Sequence, residues 1–172
     1  VGSGVIVNGS LVYGHDGFAG EYGHIRVIPD GRLCGCTRHG CLETYCSSTG
    51  VVRSIKELDS ENKAFSSLMA MENPSAKNVF DEADQGDLFA KEIVDFTAKL
   101  LGSALADYAC FSSPKAYVLF GGIAQHSGDF AKKVKLYMEE NMLVIYKNKI
   151  DIRVSSLHDR NAAVLGTAAH VF

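Results

Sequence analysis

Hydrophobic positions begin as short runs broken by glycine and proline and turn to helical spacing from Thr49 onward. Residues 5–13 read VIV-NG-SLVY, and Asn8-Gly9 between two β-rich runs is the strongest short hairpin signal. A Gly-rich stretch at 14–24 follows, then a short strand expected near 25–28 and a turn at Pro29-Asp30-Gly31. Val52, Ile55 and Leu58 predict a short helix from Thr49. The polar segment 59–74 is expected to hold another before Asn73-Pro74, and Ser75 is placed to cap a helix carrying Val79, Phe80 and Ala83. The longest periodic run starts at Asp87 and takes in Ile93, Phe96, Leu100, Leu101, Ala104, Leu105 and Tyr108. It predicts a core helix of about six turns, with Pro114 marking its exit. The apolar run 116–120 reads as a buried strand. Gly121-Gly122 ends it, and a helix with Phe130, Val134, Tyr137 and Met138 follows. A strand at 150–154 and a helix over 161–170, rich in small residues, complete an α/β chain.

At 172 residues the chain has one domain's worth of sequence and enough to bury a core. A net charge of -3 gives no basic signature for a nucleic-acid partner. No apolar run approaches the roughly 18 residues of a membrane helix. There is neither a signal peptide nor an initiator Met, and the chain opens inside a strand pattern, so its natural N-terminus is expected upstream of Val1. Five cysteines without a secretion signal point to the reducing cytoplasm. Cys46 and Cys110 fall in apolar-periodic segments and are expected to be buried thiols.

The other three cysteines carry a different signal. His24, Cys34, Cys36 and Cys41 are spaced H-x9-C-x-C-x4-C, and Cys3His is a common tetrahedral zinc set. The alternatives are a disulfide, strained if it joined Cys34 to Cys36, or four unrelated residues. Glu21 and Glu43 bracket the set. They are either solvated charges or a pair of acceptors for vicinal sugar hydroxyls. Gly121-Gly122 lies between a strand and a helix, where bare backbone and a helix N-terminus suit phosphate, although a tight turn alone would look the same. Gly2-Ser3-Gly4 is open to the same two readings.

The segments GEYGH (20–24), CGCTRHGCLE (34–43) and LFGGIA (119–124) resemble the ROK family of bacterial sugar kinases and sugar-responsive repressors. The stretch VNGSLVYGHDGFAGEYGHI is similar to its glucokinases in particular, and the likeness continues to the terminal NAAVLGTAA. It implies an actin-like (ribonuclease H-like) sugar kinase fold of two α/β lobes around a cleft, with residues 1–172 as the C-terminal lobe. Glu21, His24 and Glu43 would bind sugar hydroxyls, and His24 would also share a structural zinc with Cys34, Cys36 and Cys41. Gly2, Gly4, Gly121 and Gly122 would lie near the nucleotide. The implied activity is ATP- and Mg²⁺-dependent phosphorylation of a hexose, most simply glucose at its 6-hydroxyl, by a cytoplasmic homo-oligomer. Two departures stand out: Thr37 occupies a position where the family usually has glycine, and the phosphate loop and catalytic Asp of the family would both lie before Val1. The lobe alone is therefore expected to be inactive. A ROK repressor that binds sugar without transferring phosphate and a zinc-stabilised interaction module are the alternatives.

Overall fold

Asn8 and Gly9 both take positive φ (51° and 80°), as a two-residue hairpin turn requires. They join strand β1 (Ile6–Val7) to β2 (Ser10–Leu11) in antiparallel register, Ile6 opposite Leu11. The structure is a computed structural model and describes residues 1–126 and 128–157; the helix expected over 161–170 lies outside the described residues.

Residues 25–28 do not form the expected strand. Arg26 makes one isolated antiparallel bridge to Cys41, and Leu33 another to His39. The N–H groups of Val27 and Ile28 both go to the Gly40 carbonyl, at 2.8 and 3.3 Å, so this backbone closes the cysteine loop instead of extending a ladder. A single-turn helix, α1 (Glu43–Cys46), follows immediately and was not expected. Ser47 then caps α2 (Ser48–Glu57) by accepting from Gly50 N–H. The polar segment forms two 3-10 turns, Lys63–Phe65 and Ser67–Ala70.

Ser75 caps α3 (Ala76–Gln85) as its sequence position foretold, in a reciprocal capping box with Asn78, and Gly86 (φ 108°) ends the helix. The Asp87 carboxylate accepts from Ala90 N–H and opens α4 (Leu88–Ser112). Phe89, Ile93, Ala98, Leu105 and Tyr108 of α4 are buried together with Val51 and Ile55 of α2 and Val79 and Phe80 of α3. Cys46 lies in this core, but Cys110 is exposed. Asp107, Cys110 and Phe111 share the outward stripe of α4, which its apolar composition masked.

Strand β3 (Ala116–Leu119) pairs in parallel with β4 (Asp151–Val154), Ala116 opposite Asp151. The crossover runs through α5 (Gly122–His126) and α6 (Gly128–Asn141), whose Phe130, Val134 and Met138 pack on α4. This parallel unit with its covering helices bears out the α/β class. β3 is not the fully buried strand its apolar run suggested, since Val118 is 64% exposed. Among the described residues β3 pairs only with β4, and its side chains alternate between packed and open faces.

Candidate functional site

The residues between Glu21 and Glu43 fold back so that His24, Cys34, Cys36 and Cys41 present ligand atoms all within 4.8 Å of one another. His24 Nδ1 lies 3.5 Å from Cys34 Sγ, and Cys36 Sγ lies 3.6 Å from Cys41 Sγ. A tetrahedral zinc with bonds of about 2.3 Å to sulfur and 2.0–2.1 Å to nitrogen sets neighbouring ligand atoms about 3.5–3.8 Å apart. Those two edges have the lengths a zinc site requires, and all four ligand atoms lie within 4.8 Å of one another. No disulfide links the cysteines.

Left to themselves the thiols titrate apart. The backbone N–H and the guanidinium of Arg38 draw Cys36 down to about 6. Burial, together with the hydrogen bonds that its own thiol donates to the neighbouring sulfurs, pushes Cys41 up to about 12. A dication among them would hold all three as thiolates, so the donor set fits a metal chemically as well as geometrically.

The loop that carries the cysteines is closed by backbone. Gly40 N–H donates to Arg32 C=O at 2.8 Å, and Cys34 N–H to Arg38 C=O at 2.9 Å. A Cβ on Gly40 would fall 1.7 Å from the Ile28 carbonyl oxygen, so only glycine lets the two arms meet. Thr37 takes φ 72°. The loop thus keeps the positive-φ conformation glycine would favour, at the expense of strain in a β-branched residue.

Glu21, His24 and Glu43 gather around this cluster. The 3-10 turn Tyr22–His24 turns the His24 ring so that Nδ1 faces the cysteines while Nε2 points to Glu21 Oε2, 3.8 Å away. That gap is too long for a direct hydrogen bond and leaves room for a bridging group. The Glu21 side chain is 64% exposed and that of His24 27%. Glu43 lies at the start of α1, with Oε1 3.8 Å from Cys34 Sγ, while Oε2 accepts from the Val1 ammonium at 2.8 Å. Ser3 bonds the Gly20 carbonyl and accepts from Tyr22 N–H, pinning Gly2-Ser3-Gly4 beside the Glu21 turn.

Arg32 was not anticipated as a site residue, because arginine two residues before a cysteine reads as a surface charge. It is only 8% exposed. Nε donates to Glu57 Oε2 at 2.7 Å, Nη1 to the carbonyls of Thr44 (2.7 Å) and Gly50 (2.9 Å), and Nη2 to Ser54 Oγ (2.9 Å). Its guanidinium lies 4.4 Å from the centre of the Tyr45 ring, and the Tyr45 hydroxyl accepts from Arg32 N–H. The beginning of the cysteine loop is thereby tied to the residue that follows Glu43.

Gly121 and Gly122 sit apart from this cluster, at the exit of β3. Gly121 takes φ 108°, and its carbonyl accepts from Gln125 N–H at 3.0 Å. Among the described residues no hydrogen bond or ion pair joins either glycine to the carboxylates, and a Cβ on either would meet nothing within 4 Å.

The chain, an α/β domain built around this Cys3His cluster, matches the ROK family over residues 1–171. It belongs to that family. It is 37% identical over 172 residues to the glucokinase of Halalkalibacterium halodurans, covering 96% of this chain and 51% of that protein. It is 26% identical over 161 residues to the Escherichia coli DNA-binding transcriptional dual regulator NagC, covering 94% of this chain and 39% of the regulator. The structure superposes on a ROK family glucokinase from Streptomyces griseus in complex with glucose and AMPPNP with a TM-score of 0.80 and 30% identity, covering 91% of this chain and 52% of that one. The chain spans about half the length of the glucokinases it matches. Among the described residues no helix is long and apolar enough to cross a membrane.

Proposed function

We propose that this chain is the sugar-orienting, zinc-clamped C-terminal lobe of an ATP-dependent hexose kinase, with glucose as the substrate and its 6-hydroxyl as the acceptor. One observation carries the reading: the His24 ring has Nδ1 in the cysteine cluster and Nε2 outside it, beside Glu21. Zinc held by His24, Cys34, Cys36 and Cys41 fixes the ring tautomer and is purely structural, its four positions being filled by protein. His24 Nε2–H then donates to a sugar oxygen, and Glu21 and Glu43 accept from neighbouring hydroxyls.

The remaining parts follow the same reading. The general base for the 6-hydroxyl is an aspartate on a segment preceding Val1, so the 172 residues alone do not turn over. Gly121 and Gly122, with Gly2 and Gly4, offer bare backbone to ATP, which arrives with Mg²⁺. The glucokinase relatives support the kinase, which takes hexose and ATP, and a cytoplasmic homo-oligomer is part of the same proposal. The likeness to NagC supports a second reading, a sugar-binding effector domain that transfers no phosphate.

Hexose titration of the full-length protein, with and without ATP, tests these readings. Glu43→Gln should weaken hexose binding by about 1.5–3 kcal/mol, because a charge-assisted acceptor is lost without a change of shape. Unchanged affinity in both Glu43→Gln and Glu21→Gln removes the carboxylates from the site. Hexose binding without turnover selects the effector domain, and no hexose binding at all leaves a zinc-stabilised interaction module.

A further inference from the structure

Tyr108 lies buried in the core helix α4, 84 positions along the chain from His24. Its hydroxyl nevertheless donates to the Tyr22 carbonyl at 2.6 Å. That same carbonyl closes the 3-10 turn by accepting from Ile25 N–H at 3.2 Å. The two tyrosine rings lie against each other, centroids 4.5 Å apart and tilted by 35°. Burial pushes the Tyr108 phenol above its ordinary range, so the hydroxyl stays a donor. Glu21 stands immediately before this carbonyl's residue and His24 two after it, so one hydroxyl from the domain core bonds the backbone between two candidate sugar ligands. Ser3 grips the turn at Tyr22 N–H, and Tyr108 grips it at the carbonyl of the same residue.

We propose that Tyr108 is a positioning residue for hexose binding, its hydroxyl holding the Glu21–His24 turn so that Glu21 and His24 Nε2 address one ligand. The proposal rests on the functional reading above for its ligand, but not for its geometry. Tyr117 provides a matched control. It is a tyrosine buried less deeply than Tyr108, and its hydroxyl donates to the Leu105 carbonyl of α4 at 2.8 Å, bonding the helix and not the turn. Burial pushes its phenol up as well.

The experiment compares Tyr108→Phe with Tyr117→Phe in the full-length protein, by steady-state kinetics and by amide hydrogen exchange. Tyr108→Phe should raise the hexose KM about 3–10-fold, the equivalent of one neutral hydrogen bond, with the ATP KM and kcat within about twofold. Tyr117→Phe should leave the hexose KM where it was. Exchange at Ile25 N–H should quicken in Tyr108→Phe alone. An unchanged hexose KM in Tyr108→Phe, or equal rises in the two variants, overturns the proposal. If the unaltered protein takes no hexose, the functional reading fails. Faster Ile25 exchange confined to Tyr108→Phe would then still support the brace, and equal exchange in the two variants would overturn it.

Discussion

The cysteine loop and the glycine turn after β3 are candidate ligand sites of opposite build, and they differ in how much of each this chain's side chains supply. The loop is over-determined. Its ligands are side chains, its arms are bonded carbonyl to amide, and Arg32 anchors its start to the backbone after Glu43. The turn is under-determined. It offers only backbone, and among the described residues the space around both glycines is open. A site made of side chains can carry its geometry within one folded unit. A site made of bare backbone acquires its walls from the ligand and from whatever else lines the cleft. Damage to the loop should therefore register as instability, and damage to the turn as lost function in a stable protein.

The largest effect should come from the metal. Cys41→Ser removes a buried ligand from a site of a type whose metal affinity, in small zinc modules, amounts to about 10–16 kcal/mol of folding free energy. We expect zinc to fall from about one per chain towards zero, and the melting temperature to drop by roughly 10 °C or more, the equivalent of ~3–5 kcal/mol. Wild-type protein that is fully folded and metal-free, with Cys34 and Cys36 freely alkylated, would show instead that the cluster holds no structural metal.

Arg32→Met comes next. It removes the donors to the Thr44 carbonyl and to Ser54 Oγ, leaves the Gly50 carbonyl with the Ser54 hydroxyl that donates to it at 3.1 Å, and leaves Glu57 with Arg53. Breaking a buried charged network from one side costs about 3–5 kcal/mol, discounted here because Glu57 is partly exposed. A loss of ~2–4 kcal/mol in denaturant unfolding is expected, with zinc still bound. A loss under ~1 kcal/mol would mean the network is not what holds the loop to α2.

Gly122→Val inverts the pattern. Among the described residues nothing lies within 4 Å of the added carbon, so unfolding free energy should move by no more than ~0.5–1 kcal/mol, while the ATP KM of the full-length protein rises or turnover disappears and hexose binding persists. A stable variant with normal ATP kinetics removes the turn from the nucleotide site. The smallest change is Thr37→Gly, which relieves a positive φ of 72°. Left-handed backbone costs a non-glycine residue ~1–3 kcal/mol, and glycine returns ~0.5–1 kcal/mol of that through the unfolded chain. A net gain of ~0.5–1 kcal/mol in zinc-loaded protein is expected, and destabilisation would mean the threonine makes a contact worth more than its strain.

Local patterns made several features legible. Ser75 as a cap, Asn8-Gly9 as a hairpin turn and the span of α4 were all readable because a cap, a turn or a helical period is settled by residues within a few positions of each other. The cysteine spacing likewise announced a cluster that the fold assembles. Where the reading went astray, the deciding partner was distant. Residues 25–28 gave their amides to Gly40 and not to a sheet, Cys110 turned outward on a helix whose apolar residues run nearly all round it, and Val118 found no second neighbouring strand among the described residues.

By itself the sequence determined the α/β class, the long helix α4, the Ser75 cap of α3, and the four residues that share one small volume around His24. Tertiary structure alone decided which His24 nitrogen faces the cysteines, that Arg32 is buried beneath the loop, and that a hydroxyl from α4 reaches the turn before the first cysteine. The reason is the range of the interactions. Periodicity, turn chemistry and ligand spacing are properties of neighbouring residues, whereas the Tyr108–Tyr22 bond joins residues 86 positions apart and the fork of Arg32 reaches partners 12 to 25 positions away. Such contacts exist only once the core has brought separate segments together, and no local pattern of residues encodes them.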